Sequence, residues 1–167
     1  MVNTIYQMGN DALQNQGTVT ISPISQISQM VQALQLRITT LPSIPEYKIE
    51  YNDFSYKGYT ISLAKPGESL SRNSSFTFRV DKYWRTYKAL RAWGEAIYKH
   101  DAGDAGAGDS DALRTAIQIK MDNGPTWVFT GCIFESLGEV GLDNTDSGTP
   151  ITTTFNFRYL EVHMLDA

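Results

Sequence analysis

The sequence predicts a mainly β domain of the α+β class, an antiparallel β-sandwich or barrel with one α-helix packed on it. Three observations carry this. From residue 34 onward most of the chain alternates apolar and polar residues, the period of a half-buried strand. Turn formers such as Lys57-Gly58, Lys65-Pro66-Gly67 and Asp122-Asn123-Gly124-Pro125 punctuate those runs. One segment alone, about 82–99, repeats its apolar residues strongly every three or four positions.

Residues 1–22 are polar and rich in Gln, Asn and Thr, with a strand expected only at "TVTIS" (18–22). Ser22-Pro23 has the form of a helix start, a hydroxyl cap followed by proline in the first turn. Ile24, Ile27, Val31 and Leu34 follow at helical spacing, so a short amphipathic helix is expected over about 23–33. Residues 1–33 then form an N-terminal arm and 34–167 the body, one domain with no internal repeat or linker.

Within the body, "LQLRITTL" and "YKIEY" (47–51) alternate as strands. The polar, aromatic-studded "DFSYKGYTISLAKPGE" reads as a protruding hairpin or loop. "SSFTFRV" (74–80) is a strand, and Asp81 is the expected N-cap of the helix. At 100° per residue, Tyr83, Tyr87, Leu90, Gly94, Ile97 and Tyr98 share one side, with Trp84 and Trp93 at its borders. Tyr87, Leu90, Gly94 and Ile97 are the expected helix–sheet contacts. Glycine inside a helix costs roughly 1 kcal/mol relative to alanine, so Gly94 implies a close backbone approach. Arg85, Lys88, Glu95 and Lys99 fall on the outer side. "HDAGDAGAGDSD" (100–111) is aperiodic, and an acidic mobile loop carrying Asp101, Asp104, Asp109 and Asp111 is expected there. Strands resume at "ALRTAIQIKM" (112–121), "TWVFTGCIFESL" (126–137) and "ITTTFNFRYLEVHM" (151–164), the last expected as one long strand.

Composition excludes several functions. The net charge is −4 and the hydrophobic fraction 41%, so the chain is a folded domain without the basic field that recruits nucleic acid by counterion release. One cysteine, Cys132, excludes an intrachain disulfide. "MVNTIYQMGN" lacks a basic region followed by a long apolar run, and no apolar stretch approaches the ~18–20 residues that span a bilayer, so neither export nor membrane insertion is expected. His100 and His163 sit in unlike settings with no nucleophile at a recognisable spacing. The aspartates of 101–111, with Asp143 and Asp146, do not have the register of a calcium loop. No zinc cluster, phosphate-binding glycine loop or nucleophile elbow is present, so no cofactor, metal or catalytic residue is expected.

The order of the pieces carries a resemblance. "RITTLPSIP" precedes the glycine-bearing hairpin segment, "SFTFRVDKYWRTYKALRAWGEAI" runs a strand into the one strong helix, and "FESLGEVGLD" precedes the last strand. Over roughly 34–165 this resembles the tail tube proteins of contractile-tail bacteriophages, the T-even type, whose fold is shared with tube proteins of type VI secretion and other contractile injection systems. Its longer, more polar first 33 residues and its glycine-laden loop after the helix depart from that pattern.

The resemblance implies a structural virion protein, not an enzyme. It would form hexameric rings, stacked into a tube that conducts DNA inside a contractile sheath. The partners it implies are further copies of the chain, the tail sheath protein, baseplate tube proteins, the tape-measure protein and the tail terminator. DNA would pass transiently and non-specifically, and assembly would take place in the host cytoplasm. Tyr51, Phe54, Tyr56, Lys57, Tyr59 and Lys65 are candidates for ring-to-ring contact. Arg85, Lys88 and Lys99 are candidates for facing the sheath. Alternative readings are a baseplate tube initiator, the inner tube of another contractile particle, or a small β-barrel module that binds nucleic acid.

Overall fold

A computed structural model describes residues 17–28, 34–35, 38–46, 49–65, 72–99, 104–105, 111–122, 124–142, 145 and 148–165. Its backbone is an eight-stranded antiparallel sheet folded into two layers over one core, with a helix against it and a hairpin outside it. The first layer contains β1 (Gly17–Ile21), β2 (Leu34–Gln35), β9 (Thr115–Met121), the first half of β10 (Thr126–Leu137) and β12 (Glu161–Leu165). The second contains the rest of β10, β11 (Thr152–Arg158), β6 (Asn73–Arg79) and β3 (Ile38–Thr40). Among the described residues the sheet does not close into a barrel: the path starts at β2 and ends at β3.

Strand β10 belongs to both layers. Its residues 126–130 pair with β12 and its residues 133–137 with β11, and between them the register breaks. Gly131 sits at that break with φ of 62°, the left-handed region that disfavours any residue with a Cβ. A Cβ there would also lie 2.6 Å from Cδ1 of Leu160. Leu160 marks the matching break in the C-terminal segment. The expected single strand over 151–164 is therefore two strands. The backbone N–H groups at the break leave the ladder, Tyr159 donating to the Arg72 carbonyl (2.9 Å) and Leu160 to the Thr130 carbonyl (3.0 Å). Arg114 donates to the Gly131 carbonyl at 2.9 Å, giving that carbonyl a partner outside the ladder.

The bend folds the inward faces of both layers onto one aromatic core. Phe76, Phe78, Phe129, Phe155, Phe157 and Trp93 are almost fully buried, joined by Val19, Ile21, Ile117 and Ile119. Ring centroids are 5.3 Å apart for Phe76–Phe155 and 5.6 Å for Phe129–Phe157, the second pair edge to face. Every phenylalanine except Phe54 belongs to this core or, like Phe134, packs against it.

The expected N-terminal arm needs correction over 17–28. β1 pairs with β9 along its whole length, and Ile24 and Ile27 are buried in the core. These residues belong to the domain because burial of their apolar side chains holds them there. Where a helix from 23 is expected, 24–27 form a turn in which the Ile27 N–H reaches the Ile24 carbonyl at 3.0 Å. Residues 1–16 and 29–33 lie outside the described residues.

The one α-helix among the described residues, α1, spans Arg85–Ile97. Its N-cap is Trp84 in the left-handed conformation (φ 58°), without a side-chain cap bond. Asp81, the expected cap, lies a turn earlier, where its backbone carbonyl accepts the Trp84 N–H at 2.9 Å. The buried stripe centres on Ala89, Leu90 and Trp93 rather than on the tyrosines. Trp93 is at its centre because the indole N–H donates to the buried Leu113 carbonyl at 2.8 Å, while Tyr83 and Tyr98 flank the helix and are exposed. At Gly94 a Cβ would stand 2.9 Å from the Phe134 ring of β10, the close approach that excludes a larger residue. Phe134 is backed by Trp93 and Phe155 and has little room to retreat.

Replacing Gly131 by alanine should lower unfolding stability by about 1–3 kcal/mol, read from urea melts. An unchanged midpoint would show that the corner needs no glycine. Gly94→Ala should likewise lower the melting temperature, although helix propensity alone would raise it by roughly 1 kcal/mol of stability.

Candidate assembly surfaces

The clearest candidate surface is the hairpin of β4 (Tyr51–Tyr56) and β5 (Tyr59–Ala64). Lys57 and Gly58 form its two-residue turn with φ of 48° and 82°; positive φ at both centres is what the tightest twisted hairpins require. It is a separate two-stranded sheet, and every one of its strand residues is exposed. The register sorts its side chains into two unlike faces. Phe54 opposes Ile61, Tyr56 opposes Tyr59, and Asn52 opposes Leu63, making one face apolar. Tyr51 opposes Ala64, Asp53 opposes Ser62 and Ser55 opposes Thr60, with the Ser62 hydroxyl donating to Asp53. Among the described residues no core lies beneath the apolar face: Tyr59 is 76% exposed, Leu63 56% and Phe54 53%. An isolated two-stranded hairpin is marginal in water, and such a face ordinarily marks an interaction site.

Of the residues singled out from the sequence, Phe54, Tyr56 and Tyr59 share the apolar face, and Tyr51 stands on the other. Lys57 is at the tip with its Nζ 5.4 Å from the Tyr56 ring, and Lys65 is at the root, 3.5 Å from the Glu50 carboxylate. Ile61 and Leu63 belong to the same apolar face and are absent from the sequence-based candidates. Counting alternate residues outward from a two-residue Lys-Gly turn would have found them.

On the outer side of α1, Arg85 and Lys88 are exposed. The Arg85 guanidinium lies 5.0 Å and the Lys82 ammonium 5.9 Å from the centre of the exposed Tyr83 ring, so the start of the helix is a cationic, aromatic patch. Arg91 pairs with Glu95 one turn on at 2.8 Å. On the packed side Leu90 is fully buried, and Tyr87 and Ile97 are half-buried, Tyr87 edge to face with Trp84 at 5.3 Å. Lys99 lies in β7 (Tyr98–Lys99), which pairs with β8 (Asp104–Ala105). Asp104, expected in an aperiodic loop, is thus strand-paired through its backbone. Asp111 opens a 3-10 turn, fully exposed and 4.0 Å from Arg114. Asp101, Asp109 and His100 lie outside the described residues.

Cys132 is buried on β10, and its thiol donates to the Phe129 carbonyl at 3.3 Å. Burial pushes its pKa from 9.0 up to about 12, against a smaller opposing pull from the Ile117 backbone and the Arg114 charge. Among the described residues no group of three or more His, Cys, Asp and Glu side chains could hold a metal, and no helix is long and apolar enough to cross a membrane.

The structure shares its fold with chains of contractile injection systems. The structure matches the tube-terminating cap of the anti-feeding prophage (AFP), with a TM-score of 0.65 and 13% identity, over 95% of this chain and 93% of that one. It also matches a chain of the PVC sheath–tube complex, from an extracellular contractile injection system in its extended state, with a TM-score of 0.60 and 14% identity, over 98% and 97%. A chain of the six-fold symmetrised AFP baseplate matches with a TM-score of 0.60 and 13% identity, over 95% and 98%. At these identities the likeness is one of fold. No protein-family model matches the sequence, and no curated protein matches it.

The raised Cys132 pKa sets a pH window. Below about pH 9 the thiol is neutral folded or unfolded, so it leaves stability unchanged. Between pH 9 and 12 only the unfolded chain ionises, and stability falls as pH rises. Cys132→Ala should remove that part of the alkaline decline in urea midpoints. An identical decline in the variant would contradict the assignment.

Proposed function

We propose that this protein is the tube subunit of a contractile particle of the phage-tail type, forming hexameric rings that stack into a hollow tube within a sheath. The observation that carries this reading is the projecting hairpin with one apolar face and no core of its own, on a fold shared with tube proteins. A surface of that kind is stable in water when a second molecule covers it. Hexameric closure takes its support from the six-fold symmetry of the AFP baseplate, which contains a chain of this fold. A rotationally repeating contact between unlike surfaces closes rings, and the same logic along the axis builds open stacks.

The Lys82–Tyr83–Arg85–Lys88 patch at the start of α1 is proposed as the surface that meets an acidic sheath subunit. The lumen is proposed to conduct DNA, since a net charge of −4 discourages phosphate from adhering. The tape-measure, terminator and baseplate proteins are the partners such a tube would have. A shorter assembly is favoured by one observation: two of the matching structures are a cap and a baseplate rather than a tube.

Negative-stain microscopy of the concentrated, purified protein separates these readings. Long hollow tubes are expected. Single or paired rings would assign the chain to a baseplate or cap. A monomer at every concentration that binds oligonucleotides in a salt-dependent way would overturn the tube reading for a nucleic-acid module. Replacing 51–64 by a short Gly-Ser linker should leave a folded domain, because no strand residue of the hairpin is buried, and should abolish stacking.

A further inference from the structure

A groove of about 910 Å³ opens along β12, between its residues, Trp127 of β10 and the Pro45–Glu46 segment. Trp127, Leu160, Val162 and Met164 give it apolar walls, and Glu46 and Glu161 lie on its lining. Leu160 and Met164 are about half exposed, at 48% and 52%, so the wall is as open as the hairpin's apolar face. The groove follows β12, whose pairing among the described residues is to β10 alone. An open strand edge flanked by apolar side chains invites a partner.

We propose that this groove receives the apolar face of the hairpin from a second copy of this chain. The inference rests on the tube-subunit reading and names the acceptor surface that reading leaves open. Its own hairpin does not occupy the groove, since all of that hairpin's strand residues are exposed. The charges match across the two surfaces. Within 51–64 the ionisable groups other than tyrosine are Asp53, held on the polar face by Ser62, and Lys57 at the tip. The groove offers two carboxylates, Glu46 and Glu161, against the single guanidinium of Arg72, with His163 3.1 Å from Glu161. Lys57 entering beside Glu46 and Glu161 is attracted, and Phe54, Tyr56, Tyr59 and Ile61 meet Trp127, Leu160 and Met164. Donor and acceptor are different surfaces of one molecule, so each copy offers both and the contact propagates.

The test uses the full chain, with assembly followed by sedimentation and microscopy and folding checked by circular dichroism. Met164→Glu places a carboxylate on the apolar wall and should raise the concentration for half-assembly by about tenfold or more. Lys57→Glu should do the same by facing the two carboxylates. Combining Lys57→Glu with Glu46→Lys and Glu161→Lys should restore assembly to within about twofold of wild type. If Met164→Glu misfolds, the charge exchange still decides. Assembly by Met164→Glu at the wild-type concentration, or no rescue by the exchange, would overturn the groove. Where the groove is overturned in this way but the Gly-Ser linker variant still fails to stack, the hairpin's role stands and only the acceptor is wrong. If the linker variant stacks normally, the hairpin reading itself has failed.

Discussion

The bend of β10 at Gly131 is the constraint on which the rest of the structure depends. One strand has to serve two layers, since the C-terminal half of β10 leaves β12 for β11 while the aromatic core fills the angle between them. Interior packing is dense, so a core of six large aromatic rings tolerates little change in the angle that encloses it. Three contacts fix that angle. Leu160 lies over the missing Cβ of Gly131, Arg114 holds the Gly131 carbonyl, and the Leu160 N–H reaches Thr130. The helix adds a second close fit, with Phe134 of the same strand seated on Gly94. Strand β10 thus carries the corner, the helix contact and one wall of the groove.

Outside this core the chain keeps an element that folding alone does not need. None of the hairpin's strand residues is buried, and its loss would leave the aromatic core untouched. Its tight Lys57-Gly58 turn and its two-faced register nevertheless organise it as carefully as the interior strands. An amphipathic hairpin whose turn and register are already formed is pre-organised for binding, because less conformational entropy is lost when it docks. That combination is what a subunit of a repeating assembly requires, and the reading of the chain as a tube component turns on it.

Much of the fold was legible because strand alternation and helix periodicity are local signals. β6, β9 and the helix follow from spacing alone, and the hairpin from Lys57-Gly58 between alternating runs. Gly94 was readable as a close approach because a glycine in an apolar helix stripe weakens the helix unless a neighbour needs the space, though its partner Phe134 was not. Long-range facts were hidden. Nothing adjacent to "TVTIS" says that it pairs with 117–121, so the boundary expected at residue 33 runs through the domain. "ITTTFNFRYLEVHM" alternates without a break, and the turn at Tyr159–Leu160 is imposed by Arg72 and Thr130 from elsewhere in the chain. The stripe of α1 is displaced from its expected centre because Trp93 is drawn inward by a carbonyl 20 residues away. For the candidate surface, aromatic residues marked the hairpin, while the sorting of Tyr51 from Phe54 needed the strand register.

The central claim is that the apolar hairpin face is covered when the protein assembles. Hydrogen–deuterium exchange of the 51–64 amides, compared between dilute monomer and sedimented assembly, tests it most directly. Strong protection of this segment in the assembly, with the already protected β9 and β11 unchanged, is the expected result. Equally fast exchange of 51–64 in monomer and assembly would place the contacts elsewhere and contradict the account.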